Sequence, residues 1–200
     1  MQATNDTPAT KEGWTRRKLL LLGLSLSPFL LLLAFLAWGQ LRTGGNPGGL
    51  LVHSDSGEVP VTVHPAPTFS GTDLVNGGFV DNATVRGKIV LVDFWSSWCT
   101  SCQIEAADLA SVFRDYEGQP VEFVGLAIWD EAGDVLRYID RYNVSYPVVI
   151  DDKGTTAVTY GVRGVPEKFF LDRDGNIVRK ITGPLSPTQL HEILDSLLAS

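Results

Sequence analysis

The sequence predicts an α/β domain, a mixed central sheet with helices on both faces, preceded by one transmembrane helix and a flexible linker. Three observations predict it. Leu19 to Trp38 is a 20-residue run without a charge. At about 1.5 Å per residue a helix of that length spans roughly 30 Å, the thickness of a bilayer's hydrocarbon core. From Lys88 onward, short apolar runs alternate with segments of helical period, the pattern of a layered α/β fold. Between the two lies "RTGGNPGG", which has neither period and reads as a tether.

The charges around the apolar run orient it. Lys11, Arg16, Arg17 and Lys18 precede it, and only Arg42 follows closely. The positive-inside rule makes residues 1–18 a cytoplasmic tail, 19–40 the anchor, 41–60 the linker and 61–200 a folded domain outside the cytoplasmic membrane. Pro28 is tolerated inside such a helix. The rival is a cleaved signal peptide, whose apolar region is usually about 7–15 residues and ends at an A-x-A-like site. This run is longer and has no clean site. The chain carries a net charge of −7, and the part after Leu41 carries 12 basic and 21 acidic residues. That balance excludes nucleic acid as a partner and keeps the domain off an anionic lipid surface.

Within the domain, "APTF" (66–69) reads as a short edge element, and "GTDLVNGGFVD" as a hairpin turned at Asn76-Gly77-Gly78. Lys88–Trp95 is a continuous apolar run, as in a strand buried on both faces. A helix follows from Thr100 to Glu117, where Ala106, Leu109, Ala110 and Phe113 share one face and Gly118 ends it. Val121–Trp129 is a second central strand. The next helix, Ala132–Tyr142, is expected to bury Val135, Leu136 and Ile139. "YPVVID" is a short strand or bend, and "GTTAVTYGV" a short helix. "KFFLD" and "NIVRKIT" pair as a hairpin across Arg173-Asp174-Gly175. The last helix starts at Ser186-Pro187, with Gln189 completing a capping box and Leu190, Ile193, Leu194, Leu197 and Leu198 as its buried stripe.

The chemistry rests on Cys99 and Cys102, the only two cysteines. A structural zinc needs about four ligands, and His53, His64 and His191 have no ligand spacing to one another, so no metal is expected. A bridge across so short a loop restrains little chain and is a poor staple. A redox pair explains more. Cys99 falls where the strand ends and the helix begins, where free N–H groups and the helix dipole favour a thiolate. Cys102 lies one turn on, placed to attack a mixed disulfide formed by Cys99. Cys99 is then the attacking sulfur and Cys102 the resolving one. No cofactor is expected beyond the redox-active Cys99–Cys102 disulfide.

"VLVDFWSSWCTSC" resembles the strand and active site of thioredoxin, and "YGVRGVPEKFFLDRDGNIV" resembles its cis-proline loop and following hairpin. The similarity runs from about Lys88 to Leu198 and implies a thioredoxin-like fold, with the 71–81 hairpin as an N-terminal extension. The anchor, the "APTF…GKIVLVDFW" opening, Glu105 and "GVPE" resemble membrane-anchored thiol–disulfide reductases of the TlpA/DsbE type. That resemblance implies a single-pass protein of the cytoplasmic membrane with its catalytic domain on the extracytoplasmic side. It implies reduction of disulfides in exported proteins in cytochrome c maturation, with apocytochrome c or its relay protein as client. It also implies a membrane electron donor of the CcdA/DsbD type. A peroxiredoxin-like peroxidase and a non-catalytic tethered client-binding module are the alternatives.

The resemblance extends to supporting residues. Asp93 matches thioredoxin's buried aspartate, which helps deprotonate the resolving cysteine; otherwise it is a strand-end aspartate reaching water. Glu105 matches an acidic residue that tunes the pair, or is a solvated helix glutamate. Pro166 matches the cis-proline, against an ordinary trans proline; a cis bond leaves Val165's backbone free to pair with a substrate strand. Glu167 contributes to partner choice or faces solvent. Trp95 and Trp98 flank the pair as shielding residues, Trp98 with a contact role. Thr100-Ser101 lacks the common proline between the cysteines.

Overall fold

A computed structural model describes residues 16–42 and 51–200. The expected tail up to residue 15 and the glycines of 44–49 lie outside the described residues. The chain divides after Gly49 into two compact units.

The first unit is a helix, α1, over Arg16–Arg42, with Pro28 inside it. The expected 19–40 span falls within this helix. Its described side chains are all exposed. Among the described residues, no helix is long and apolar enough to cross a membrane. Those residues leave out the side chains of 16–23, 25 and 39–42.

The second unit begins with five short strands: β1 (Leu51–Val52), β2 (Gly57–Val59), β3 (His64–Pro65), β4 (Ser70–Thr72) and β5 (Phe79–Asp81). Then follow β6 (Ile89–Trp95), α2 (Thr100–Asp115), β7 (Val121–Ile128), α3 (Ala132–Tyr142), β8 (Val148–Asp151) and α4 (Thr155–Tyr160). The chain closes with β9 (Gly164–Val165), β10 (Glu167–Leu171), β11 (Asn176–Thr182) and α5 (Pro187–Leu198). The main sheet runs β2-β11-β10-β6-β7-β8, with β3 also on β11. The strands β6, β7 and β8 are parallel, while β10 is antiparallel to β6 and to β11. This is the expected mixed sheet.

Alternation along β6 assigns the faces. All seven of its residues are buried, as its unbroken apolar run requires. Trp95 stacks on Tyr138 of α3, ring centroids 4.1 Å apart, whereas Phe94 meets Tyr160 of α4 at 5.1 Å. Successive strand residues point to opposite faces, so α3 and α4 cover opposite faces of the sheet. The crossovers β6-α2-β7 and β7-α3-β8 step the same way across the sheet, so the right-handed rule places α2 on the α3 side. The β4–β5 hairpin forms its own sheet, and a side chain on Gly71 would collide with Val149 of β8.

Three expectations are corrected. Residues 51–59, read as linker, carry β1 and β2, which pair with β9 and β11. These strands are two and three residues long, too short for any period to show. Leu136 is 49% exposed; α3 buries Val135 and Tyr138 instead, because the phenol ring stacks on Trp95. The edge element sits at His64–Pro65, two residues before the expected "APTF". The last helix starts as expected, with Ser186 and Gln189 forming a complete capping box.

Candidate active site

The chain leaves β6 through Ser96 and Ser97, both tied down. Ser96 Oγ donates to the Ile128 carbonyl at 2.7 Å, and Ser97 donates from its amide and its hydroxyl to the Asp130 carboxylate. Trp98 Nε1 donates to the Trp129 carbonyl at 3.1 Å, leaving its ring 46% exposed beside the cysteines. Trp129 itself sits at φ 48°, in the left-handed region. Cys99 is the N-cap of α2, and its sulfur accepts the amide N–H of Cys102 at 3.1 Å. The cysteines form a disulfide, so the site is oxidised. After reduction the same N–H would donate to a Cys99 thiolate and stabilise it. Tyr138 donates its hydroxyl to the Cys102 carbonyl at 2.8 Å, and burial pushes that phenol well up, so it stays a donor.

Cys99 is 0% exposed. The expected reachable sulfur is therefore enclosed in this oxidised state, and its exposed neighbour is Trp98. Pro166 is joined to Val165 by a cis bond, as the resemblance implied. Val165's backbone is not free. Its carbonyl accepts the His53 N–H at 2.8 Å, and Leu51 and Val52 pair with Gly164 and Val165.

Both acids behind the pair are buried, which removes their solvated alternatives. Between them lies Lys168, fully buried and not singled out in the sequence. Lys168 stands directly opposite Asp93 in the β10–β6 ladder, on the face that α2 covers. Its Nζ lies 2.5 Å from Glu105 Oε1 and 3.4 Å from Asp93 Oδ1. Glu105 Oε2 also accepts the Leu185 N–H at 2.8 Å, whereas Asp93 Oδ1 has no well-formed hydrogen bond among the described residues. Burial pushes the Glu105 carboxyl up to about 7, the Asp93 charge adding to the rise and Lys168 opposing it. Burial likewise raises Asp93, against the pull of Lys168. Burial by itself would lower Lys168, but the two carboxylates outweigh it and hold the ammonium charged. Two acids share one cation, so the set holds a proton more tightly than separate carboxylates would. A proton store one turn from Cys102 can supply or take the proton that exchange requires.

No sequence pattern marks Lys168. Its partners are 75 and 63 positions away in the chain, brought to it by strand register and by α2. A lysine in an apolar strand, "KFFLD", was the available signal.

Glu167 does not face solvent; it is 1% exposed. Its Oε1 accepts the N–H groups of Arg163 and Gly164 at 3.0 and 3.1 Å and lies 3.2 Å from His53 Nε2. Lys180 Nζ is 2.7 Å from Oε2, an ion pair without good hydrogen-bond angles. Among the described residues, no group of three or more His, Cys, Asp or Glu could hold a metal ion.

Residues 62–180 match the model of the AhpC/TSA family. The chain is 32% identical to the thiol-disulfide oxidoreductase ResA of Bacillus thuringiensis, over 66% of this chain and 76% of that one. Its counterpart from Bacillus subtilis is 28% identical over 65% and 72%. Among solved structures, a thiol:disulfide interchange protein of the thioredoxin family from Chlorobium tepidum superposes with a TM-score of 0.63 at 27% identity, covering 70% of this chain and 99% of that one. A secreted Mycobacterium tuberculosis disulfide oxidoreductase, described as homologous to E. coli DsbE, gives 0.57 at 27% identity, over 64% and 96%.

Proposed function

The chain belongs to the AhpC/TSA family and is a thiol–disulfide oxidoreductase, and from that premise we propose that it works as a reductase of disulfides in exported proteins. The observation that carries the direction is the buried acid pair behind the cysteines. A strongly oxidising pair is one whose thiolate is stabilised. Here the one buried ammonium is already committed to two carboxyl groups, so the set offers no spare positive charge to a dithiolate. That stabilises the disulfide relative to the dithiolate and makes the dithiol a good electron donor.

In the exchange, the Cys99 thiolate attacks one sulfur of the client disulfide. A Cys99–client S–S bond forms and the client's other sulfur leaves as a thiolate. Cys102, losing its proton to the Asp93–Glu105–Lys168 set, then attacks Cys99. The second client sulfur leaves as a thiolate and the Cys99–Cys102 disulfide forms; the client has gained two electrons, and its two thiolates take up the protons that Cys99 and Cys102 released. A membrane electron donor of the CcdA/DsbD type returns the pair to the dithiol.

In this reading α1 and its flanking residues anchor the protein in the cytoplasmic membrane, with the catalytic domain outside, and cytochrome c maturation is the process served. Apocytochrome c or its relay protein is the client. A peroxidase would need a peroxidatic cysteine elsewhere, and the chain has no other cysteine. Redox titration of the purified protein tests the direction. A potential near thioredoxin's, about −270 mV, is expected, and one near about −120 mV would refute a reductase. For the process, deletion should lower holocytochrome c and leave unrelated exported disulfides intact.

A further inference from the structure

In the exchange reading a client strand pairs with the Gly164–Val165 edge before the cis Pro166, and the chain's own residues 51–53 already hold that edge. Leu51 pairs with Gly164 and Val52 with Val165 in parallel register, and His53 donates its N–H to the Val165 carbonyl at 2.8 Å. A second contact latches the segment. His53 Nε2 lies 3.2 Å from Glu167 Oε1, whose carboxylate is fixed from below by two backbone N–H groups. We propose that residues 51–53 are an internal strap on the client-docking edge, displaced whenever an extended client segment docks. This rests on the exchange reading above.

Three features fit a strap rather than a permanent strand. The ladder is two residues long and parallel, the less stable pairing. Val52 is 41% exposed, so little apolar burial holds it. Beyond it the chain is secured separately. β2 pairs with β11, and at Gly183, φ 83°, any side chain would strike the backbone of Asp55. Residues 51–53 can therefore leave the edge while residues 55–59 stay in place. A client strand entering there replaces the same backbone hydrogen bonds, so the exchange of occupants is close to balanced. The strap also fits the enclosed Cys99, which needs some element to move before it reacts.

The test uses the full-length Cys102→Ser variant, trapped through Cys99 with a short peptide that contains one cysteine. Amide hydrogen exchange over residues 51–56 is compared with the same variant blocked by iodoacetamide, whose adduct has no extended backbone to pair with the edge. The expected result is exchange at His53 rising at least about fivefold in the peptide adduct, the factor for one backbone hydrogen bond, with β6 and β7 unchanged. Equal protection in the two adducts would overturn the strap. If no mixed disulfide forms at all, it is the exchange reading that fails. A second variant, His53→Pro, removes both the N–H and the imidazole. It should form the mixed disulfide about fivefold faster, with the Cys99 thiol titration unchanged. An equal or slower rate with intact thermal unfolding would also overturn the proposal.

Discussion

Glu105→Gln separates the buried acid network from simple packing. Glu105 has a folded pKa near 7 against an ordinary 4.5. At about 1.4 kcal/mol per tenfold, the folded state grips this proton more tightly by on the order of 3 kcal/mol. A carboxyl raised in this way contributes stability that is fully present below about 4.5 and lost as the pH rises through about 7. Glutamine has no proton to lose, so this part of the pH dependence should vanish. It carries its own cost, because the Leu185 N–H would face an amide NH₂ where it now meets a carboxylate oxygen. A mismatched buried donor costs about 1–3 kcal/mol. The variant should therefore be less stable than the parent near pH 4.5 and equal or more stable near pH 8. Urea unfolding of the oxidised protein at both values measures this. If the gap between the two proteins is the same at pH 4.5 and pH 8, Glu105 does not hold the proton and the account of the network is wrong.

Lys168→Met leaves two buried carboxylates without their cation and should cost about 3–5 kcal/mol at pH 8, less at pH 5, by the same urea assay; a uniform loss would point to packing alone. Cys102→Ser should accumulate mixed disulfides with client peptides on non-reducing gels, whereas Cys99→Ser should trap none; trapping by both would undo the assignment of attacker and resolver. Gly125→Ala would set a methyl 2.8 Å from Trp95 Nε1 and 3.2 Å from Tyr146, so thermal unfolding should register a loss of about 1–3 kcal/mol. Val135→Ala should cost about 1–3 kcal/mol and Leu136→Ala less than about 0.5 kcal/mol, a contrast that checks which face of α3 is buried.

The elements whose signal is local were legible from residue order alone. The apolar run of β6, the helical period of α2 and α5, the Ser186–Gln189 cap and the turn glycines each act within a few residues, so pattern alone located them. It also determined the cysteine pair, because a strand end, an N-cap and a one-turn spacing are all properties of adjacent positions. The rest depends on register between distant segments. Lys168 meets Asp93 because β10 runs antiparallel to β6 in one particular alignment. Residues 51–53 leave the linker class because a sheet edge elsewhere in the chain accepts their backbone, and backbone pairing writes almost nothing into side-chain sequence. Burial of Glu105 and Glu167 follows the same logic: each carboxylate is tolerated inside because a cation and N–H groups arrive from other elements, and a one-dimensional reading sees the charge without its partners.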